Sequence, residues 1–141
     1  MPLITVGTDG SPGALAAMDW AIAEATLRGA DLRIVHAWSP AQIGPYPYVA
    51  PDAYAVFEQA ARDLLDRVAD DADAASGGRC ERVLTSSPSA GALIAAAETS
   101  DLLVLGARGH GGFIGLLLGS VSSSVAHHCP CPLVIVPAPA P

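Results

Sequence analysis

The run Asp101 to Leu105, DLLVL, is apolar at every position after its aspartate. A strand with one wet face alternates apolar and polar side chains. An unbroken apolar run needs cover on both faces, as in a parallel sheet flanked by helices. Four further runs are short and β-rich: Leu3 to Thr8, Asp31 to Trp38 with Leu32, Ile34 and Val35 inside, the less apolar Arg79 to Thr85, and Leu133 to Val136. Segments with helical spacing lie between them. Alternation of this kind implies right-handed crossovers and an α/β fold, a single open, doubly wound sheet of five parallel strands with helices on both faces.

The helix boundaries follow from the punctuating residues. Asp9-Gly10 ends the first run, and Ser11-Pro12 supplies an N-cap followed by proline at the first helical position. Leu15, Met18, Ile22 and Ala25 repeat at helical spacing, and Gly29 closes the segment. Phe57, Ala61, Leu64 and Val68 mark a second helix, the Ala-rich Pro88 to Glu98 a third with Leu93 and Ile94, and the residues from Gly119 onward a fourth. Ser39 to Pro51 is rich in Pro and Tyr, a long loop of the kind that serves as a lid or a partner surface. No boundary or repeat divides the chain, so residues 1–141 read as one domain, with 137–141 a flexible proline-rich tail.

Composition narrows the function. Of 141 residues, 51% are apolar and 15% charged, which suits a core that folds without a staple. Fourteen acidic side chains stand against seven basic ones, and all seven are Arg. The absence of Lys removes a P-loop lysine, a Schiff base and a polybasic patch. Neutralising phosphates supplies the sequence-independent part of binding to nucleic acid and anionic lipid, so neither is an expected partner. The start MPLITVGTDG has no basic, cleavable apolar leader, and no apolar run approaches a membrane span, which points to the cytoplasm. Cys80, Cys129 and Cys131, an odd set, fit a reducing compartment better than a disulfide framework.

A small anion held by backbone amides needs no net positive charge, and the stretch from Gly106 to Ser120 suits it. Glycine permits positive φ and lets a ligand approach where a Cβ would collide. Ser120 is placed to cap the next helix, whose first amides and dipole then face the loop. Ser120 and Ser122 carry hydroxyls for phosphate oxygens, and Arg108 brings a guanidinium among glycines. In open α/β sheets such a site lies at the carboxyl ends of strands, where the strand order reverses. The insert Phe113 to Leu118 reads as core or interface.

Gly106, Gly109, Gly119 and Ser120 also form a longer pattern: glycine, two residues, glycine, nine residues, glycine, serine. In this the chain resembles the universal stress protein family, in its ATP-binding branch. The similarity extends in order and position through VGTDGS, IVHAW, DLLVLGARGHGG and CPCPLVIV. The resemblance implies the strand order 3-2-1-4-5 of adenine nucleotide alpha hydrolase-like folds, with the first and fourth strands adjacent at the reversal. It implies an adenine nucleotide, ATP or else ADP or AMP, with Mg2+ bound through the phosphates. Those phosphates fall to Gly109, Gly119, Ser120 and Val121, with Arg108 beside them. Leu105 and Gly106 then lie under the ribose and base, Gly7, Thr8 and Asp9 face the adenosine, and the main chain of Ala37 reads the adenine edge. A homodimer through the short, apolar edge strand Leu133 to Val136 fits the same resemblance. Ser86-Ser87-Pro88 departs from the glycine that commonly precedes proline there.

Several residues carry two readings. Asp9 is either a turn former that bonds nearby amides or a ligand contact. His127-His128-Cys129-Pro130-Cys131 has metal-ligand types, but a structural zinc needs four converging ligands, and the segment reads instead as a helix end followed by buried cysteines, with no metal expected. His36, in an apolar strand, reads as a satisfied sheet residue, and no nucleophile or carboxylate pair accompanies it, so no catalytic residue is assigned. The function that follows is a nucleotide-binding, stress-response regulator whose occupancy modulates conformation or partner binding. A slow ATPase or nucleotide-dependent transferase, and an interaction module with an empty loop, are the alternatives.

Overall fold

The structure is a computed structural model that describes residues 2–38, 51–78, 80–109 and 118–137. The strands are β1 (Leu3–Gly7), β2 (Asp31–Ala37), β3 (Glu81–Thr85), β4 (Leu102–Gly106) and β5 (Leu133–Val136). The helices are α1 (Pro12–Arg28), α2 (Pro51–Ser76), α3 (Ser89–Ala97) and α4 (Ser120–His128). All strand pairs are parallel, and the sheet order is β3-β2-β1-β4-β5. The order expected from the family resemblance is the order found.

Side-chain alternation along each strand divides the core in two. Ile4, Val6, Leu32, Ile34, Leu102 and Val104 face α1 and α2, where they meet Ala17, Met18, Ala21, Leu65, Val68 and Ala72. Val35, Leu103 and Leu105 face the other way, against Leu93, Ala97 and Val125 of α3 and α4. Leu102, Leu103, Val104 and Leu105 are all buried, as an apolar run with two covered faces requires.

The start of α1 forms as its residues dictate. Ser11 is extended at φ −70° and ψ 161°, its side chain accepts from the Ala14 amide at 3.2 Å, and Pro12 follows. Gly29 ends the helix in the left-handed region at φ 63°, its amide turned back on the carbonyls of Ala25 and Thr26. The buried face differs from the expected stripe. It consists of Gly13, Ala14, Ala17, Met18, Ala21 and Ala25, while Leu15 is 46% exposed. Small side chains win this face because they let the helix axis lie close to the sheet, a preference that hydrophobic spacing alone does not encode.

Other boundaries move slightly. Pro51, expected to close a loop, begins α2, and residues 39–50 of that loop lie outside the described residues. At the other end of α2, Asp73 Oδ1 accepts from the Cys80 amide at 2.6 Å. Arg82 of the edge strand β3 reaches Asp66, Asp70 and Asp73 at 3.0, 2.7 and 2.9 Å, tying helix to strand. Burial works against the Asp73 charge, but hydrogen bonds from Cys80 and Arg82 outweigh it and hold the carboxyl below its ordinary range. No helix among the described residues is long and apolar enough to cross a membrane.

Candidate functional site

β1 pairs with β2 on one side and β4 on the other, and the connection leaving β1 runs to α1 on one face of the sheet while that leaving β4 runs to α4 on the other. A crevice opens there, as the reversal of strand order demands. Its volume is about 670 Å3, and each residue assigned from the sequence lines it: Gly7, Thr8 and Asp9 from the end of β1, Ala37 from β2, Leu105, Gly106, Arg108 and Gly109 from β4 and its loop, and Gly119, Ser120, Val121 and Ser122 from the start of α4.

The anion-ready part is the start of α4. Its cap is Gly119, extended at φ −73° and ψ 171°, with Ser120 as the first helical residue, so the expected capping role of Ser120 is corrected. A glycine cap has no side chain to offer, and the first helical bond runs from the Ser123 amide to the Gly119 carbonyl at 2.9 Å. The amides of Ser120, Val121 and Ser122 therefore precede the first intrahelical bond, at the positive end of the helix dipole. Ser120 is exposed and presents its hydroxyl beside them. Ser122 differs: it is 4% exposed and donates its hydroxyl to the Gly106 carbonyl at 2.8 Å. Its proton is committed to the scaffold, so the expected role as a phosphate donor gives way to one of joining α4 to the end of β4.

The glycines act through close packing rather than through unusual backbone angles. Positive φ occurs, among the described residues, at Gly10, Gly29 and Gly77, and not at Gly106, Gly109 or Gly119. A Cβ on Gly106 would stand 2.8 Å from the backbone of Gly13, and one on Gly13 would stand 2.6 Å from the Arg108 carbonyl oxygen. These two glycines bring the start of α1 against the end of β4 and the turn that follows. A Cβ on Gly109 would collide with the Asp9 carboxylate, whereas one on Gly119 would find its nearest neighbours at 3.5 and 3.6 Å. The requirement for glycine is thus sharp at Gly106 and Gly13, where backbone stands in the way, mild at Gly119, and at Gly109 set by whether the Asp9 side chain moves.

Asp9 satisfies its local reading, since Oδ1 accepts from the Ser11 amide at 2.9 Å, and it also lines the crevice. His36 is 7% exposed and its Nδ1 lies 2.8 Å from the Thr8 carbonyl oxygen. A carbonyl only accepts, so Nδ1 carries the proton, and the ring braces the turn after β1. His36 also lines the crevice, as do Ser11, Ala14, Val35, Trp38, Ser89 and Leu93, none of which was assigned from the sequence. The capping serine and the Gly-Ser-Pro turn could have flagged Ser11. Trp38 and Ser89 had no local signal, because strand order alone brings the ends of β2 and α3 to β1. Trp38 is 8% exposed, donates its amide to the Thr85 carbonyl at 2.9 Å, and lies with its ring 5.0 Å from that of Tyr54.

Arg108 is half-buried in the same crevice. The residues 110–117 of the glycine-rich loop, and with them most of the apolar insert, lie outside the described residues. Among the described residues no group of three or more His, Cys, Asp or Glu side chains converges as a metal site. Cys129 and Cys131, expected to be buried, are half-buried.

A doubly wound parallel sheet with a crevice at the reversal of its strand order is the architecture of a Rossmann-like α/β protein. The chain belongs to the universal stress protein family, whose model matches residues 2–137. It is 35% identical over 132 residues to universal stress protein Rv2005c of Mycobacterium tuberculosis, covering 94% of this chain and 44% of that protein. The chain thus spans less than half the length of such relatives. Among solved structures it is similar to a universal stress protein in complex with cAMP, at 33% identity and TM-score 0.69 over 98% of both chains. The protein MJ0577 shares the fold at TM-score 0.85 and 18% identity, over 99% of this chain and 98% of that one.

Proposed function

We propose that the crevice binds an adenine nucleotide, and that its occupancy biases conformation or partner binding in a stress-response regulator. The observation that carries this reading is the start of α4, which has no side-chain cap, opening with Arg108 and the Ser120 hydroxyl into the same crevice as the end of β2. β2 and β4 are separated only by β1, so their ends lie about 10 Å apart at the usual strand spacing. That separation suits a ligand with a phosphate at one end and a base at the other. A crevice of about 670 Å3 falls within the range of small-molecule sites. The cAMP-bound structure, of a protein 33% identical to this chain, supports an adenine ligand.

In this reading Gly109, Gly119, Ser120 and Val121 hold the phosphates with Arg108 beside them. Gly7, Thr8, Asp9, Leu105 and Gly106 contact the nucleoside, and Ala37 reads the base through its main chain. ATP is the proposed ligand, with Mg2+ carried on its phosphates, and two copies of the chain associate through β5. Equilibrium dialysis with labelled ATP, AMP and cAMP tests the ligand class, with saturable binding of at least one expected. No binding at millimolar concentration would overturn the proposal. ATP turnover on the order of one per second or faster, the range of ordinary enzymes, would replace occupancy with catalysis.

A further inference from the structure

At the far end of α4 from the crevice, the chain presents a pair of thiols that the nucleotide reading does not use. Cys129 ends the helix at φ −68° and ψ 124°, and its Sγ lies 3.9 Å from the Sγ of Cys131. Both side chains are half-buried. Each cysteine precedes a proline, Pro130 and Pro132. A proline fixes its own φ and holds the residue before it extended, so this backbone keeps the two sulfurs on one side of the turn.

We propose that Cys129 and Cys131 form a binding site for a soft, monovalent d10 cation of the copper(I) class. With metal–sulfur bonds of about 2.3 Å, sulfurs 3.9 Å apart subtend about 116° at a bound ion, and opening them to about 4.6 Å makes the site linear. Zinc in a structural site takes four ligands, and among the described residues no third or fourth side chain converges here. The neighbouring His127 and His128 turn their Nδ1 atoms back to the carbonyls of Ser123 and Ser124, at 2.7 and 3.0 Å. Two thiolates, with no further ligand among the described residues, select a soft ion that accepts low coordination. Binding exchanges protons for metal: one monovalent ion and two thiols give a dithiolate complex of net charge −1 and two released protons.

The test is an anaerobic titration of the fully reduced chain with copper(I), buffered by a chromophoric chelator, alongside X-ray absorption of the loaded protein. Expected are one copper per chain and two sulfur neighbours at the metal. Cys129→Ser and Cys131→Ser should each lower affinity by more than about 100-fold, beyond the loss caused by outer-shell changes. Cys80→Ser, at a buried position on the opposite edge of the sheet, should leave it unchanged. Far-UV circular dichroism checks that each variant is folded. Loss of all copper to the chelator, equal retention by Cys129→Ser and Cys131→Ser, or a stoichiometry of half a copper per chain would each overturn the site.

Discussion

Glycines in and beside the crevice are of three kinds, and they answer to different forces. Gly106 and Gly13 are required because two backbones meet, and nothing at that contact can rotate away. At Gly109 a side chain would have to displace the Asp9 carboxylate, which occupies that space. Gly119 is favoured as a cap but has room for a methyl group. Gly109→Leu should therefore reduce adenine-nucleotide affinity by at least about tenfold, or 1.4 kcal/mol, by displacing Asp9 and the adjoining loop. Gly119→Ala should stay within about threefold of the parent. Isothermal titration with the nucleotide that binds the parent chain distinguishes them, and equal affinities in the two variants would contradict this ranking. The sequence pattern marks Gly106, Gly109 and Gly119 alike; only their neighbours rank them.

Among the elements, α1 and the pair α2–β3 show how local signals succeed and fail. The cap, the proline and the closing glycine of α1 were readable because each acts within a few residues. Its buried face was not, because Leu15 and Ala14 are told apart by how near the sheet lies. The tie between α2 and β3 depends on Asp73, whose carboxyl binds the Cys80 amide and Arg82. Its lowered folded pKa means that the charge stabilises the fold fully above the unfolded value near 4, and that this stabilisation is lost as pH falls through the folded value. Asp73→Asn should cost about 1 kcal/mol at pH 7, from the weakened bond to the Cys80 amide, and the gap should shrink at pH 3. Urea unfolding midpoints at the two pH values read this directly. A gap of the same size at both would remove the charge as its cause.

At the scale of the whole molecule, two surfaces follow from strand order. The reversal at β1 and β4 creates the crevice, and β5 becomes an edge that pairs with β4 alone among the described residues. Leu133, Val134, Ile135 and Val136 are each half-buried within the chain, an apolar edge that a second copy can extend. The proposed homodimer should appear in sedimentation at micromolar concentration, and Ile135→Asp should shift it towards monomer. A parent chain that sediments as a monomer would rule out this assembly.

The sequence by itself determined the alternation of strands and helices, the two-sided burial of residues 102–105, and the glycine spacing that drew attention to the loop. These depend on periodicity and on short-range turn chemistry, which a linear chain carries intact. Tertiary structure decided which residues share the crevice with that loop. Trp38, His36 and Ser89 join it because β2, β1 and α3 are brought together across distances that no local pattern records. It also decided what the shared residues do: Ser122 bonds to the carbonyl of Gly106, sixteen residues earlier, and Gly106 yields its side-chain space to Gly13. A hydroxyl or a glycine has several possible partners along a chain, and packing leaves it one.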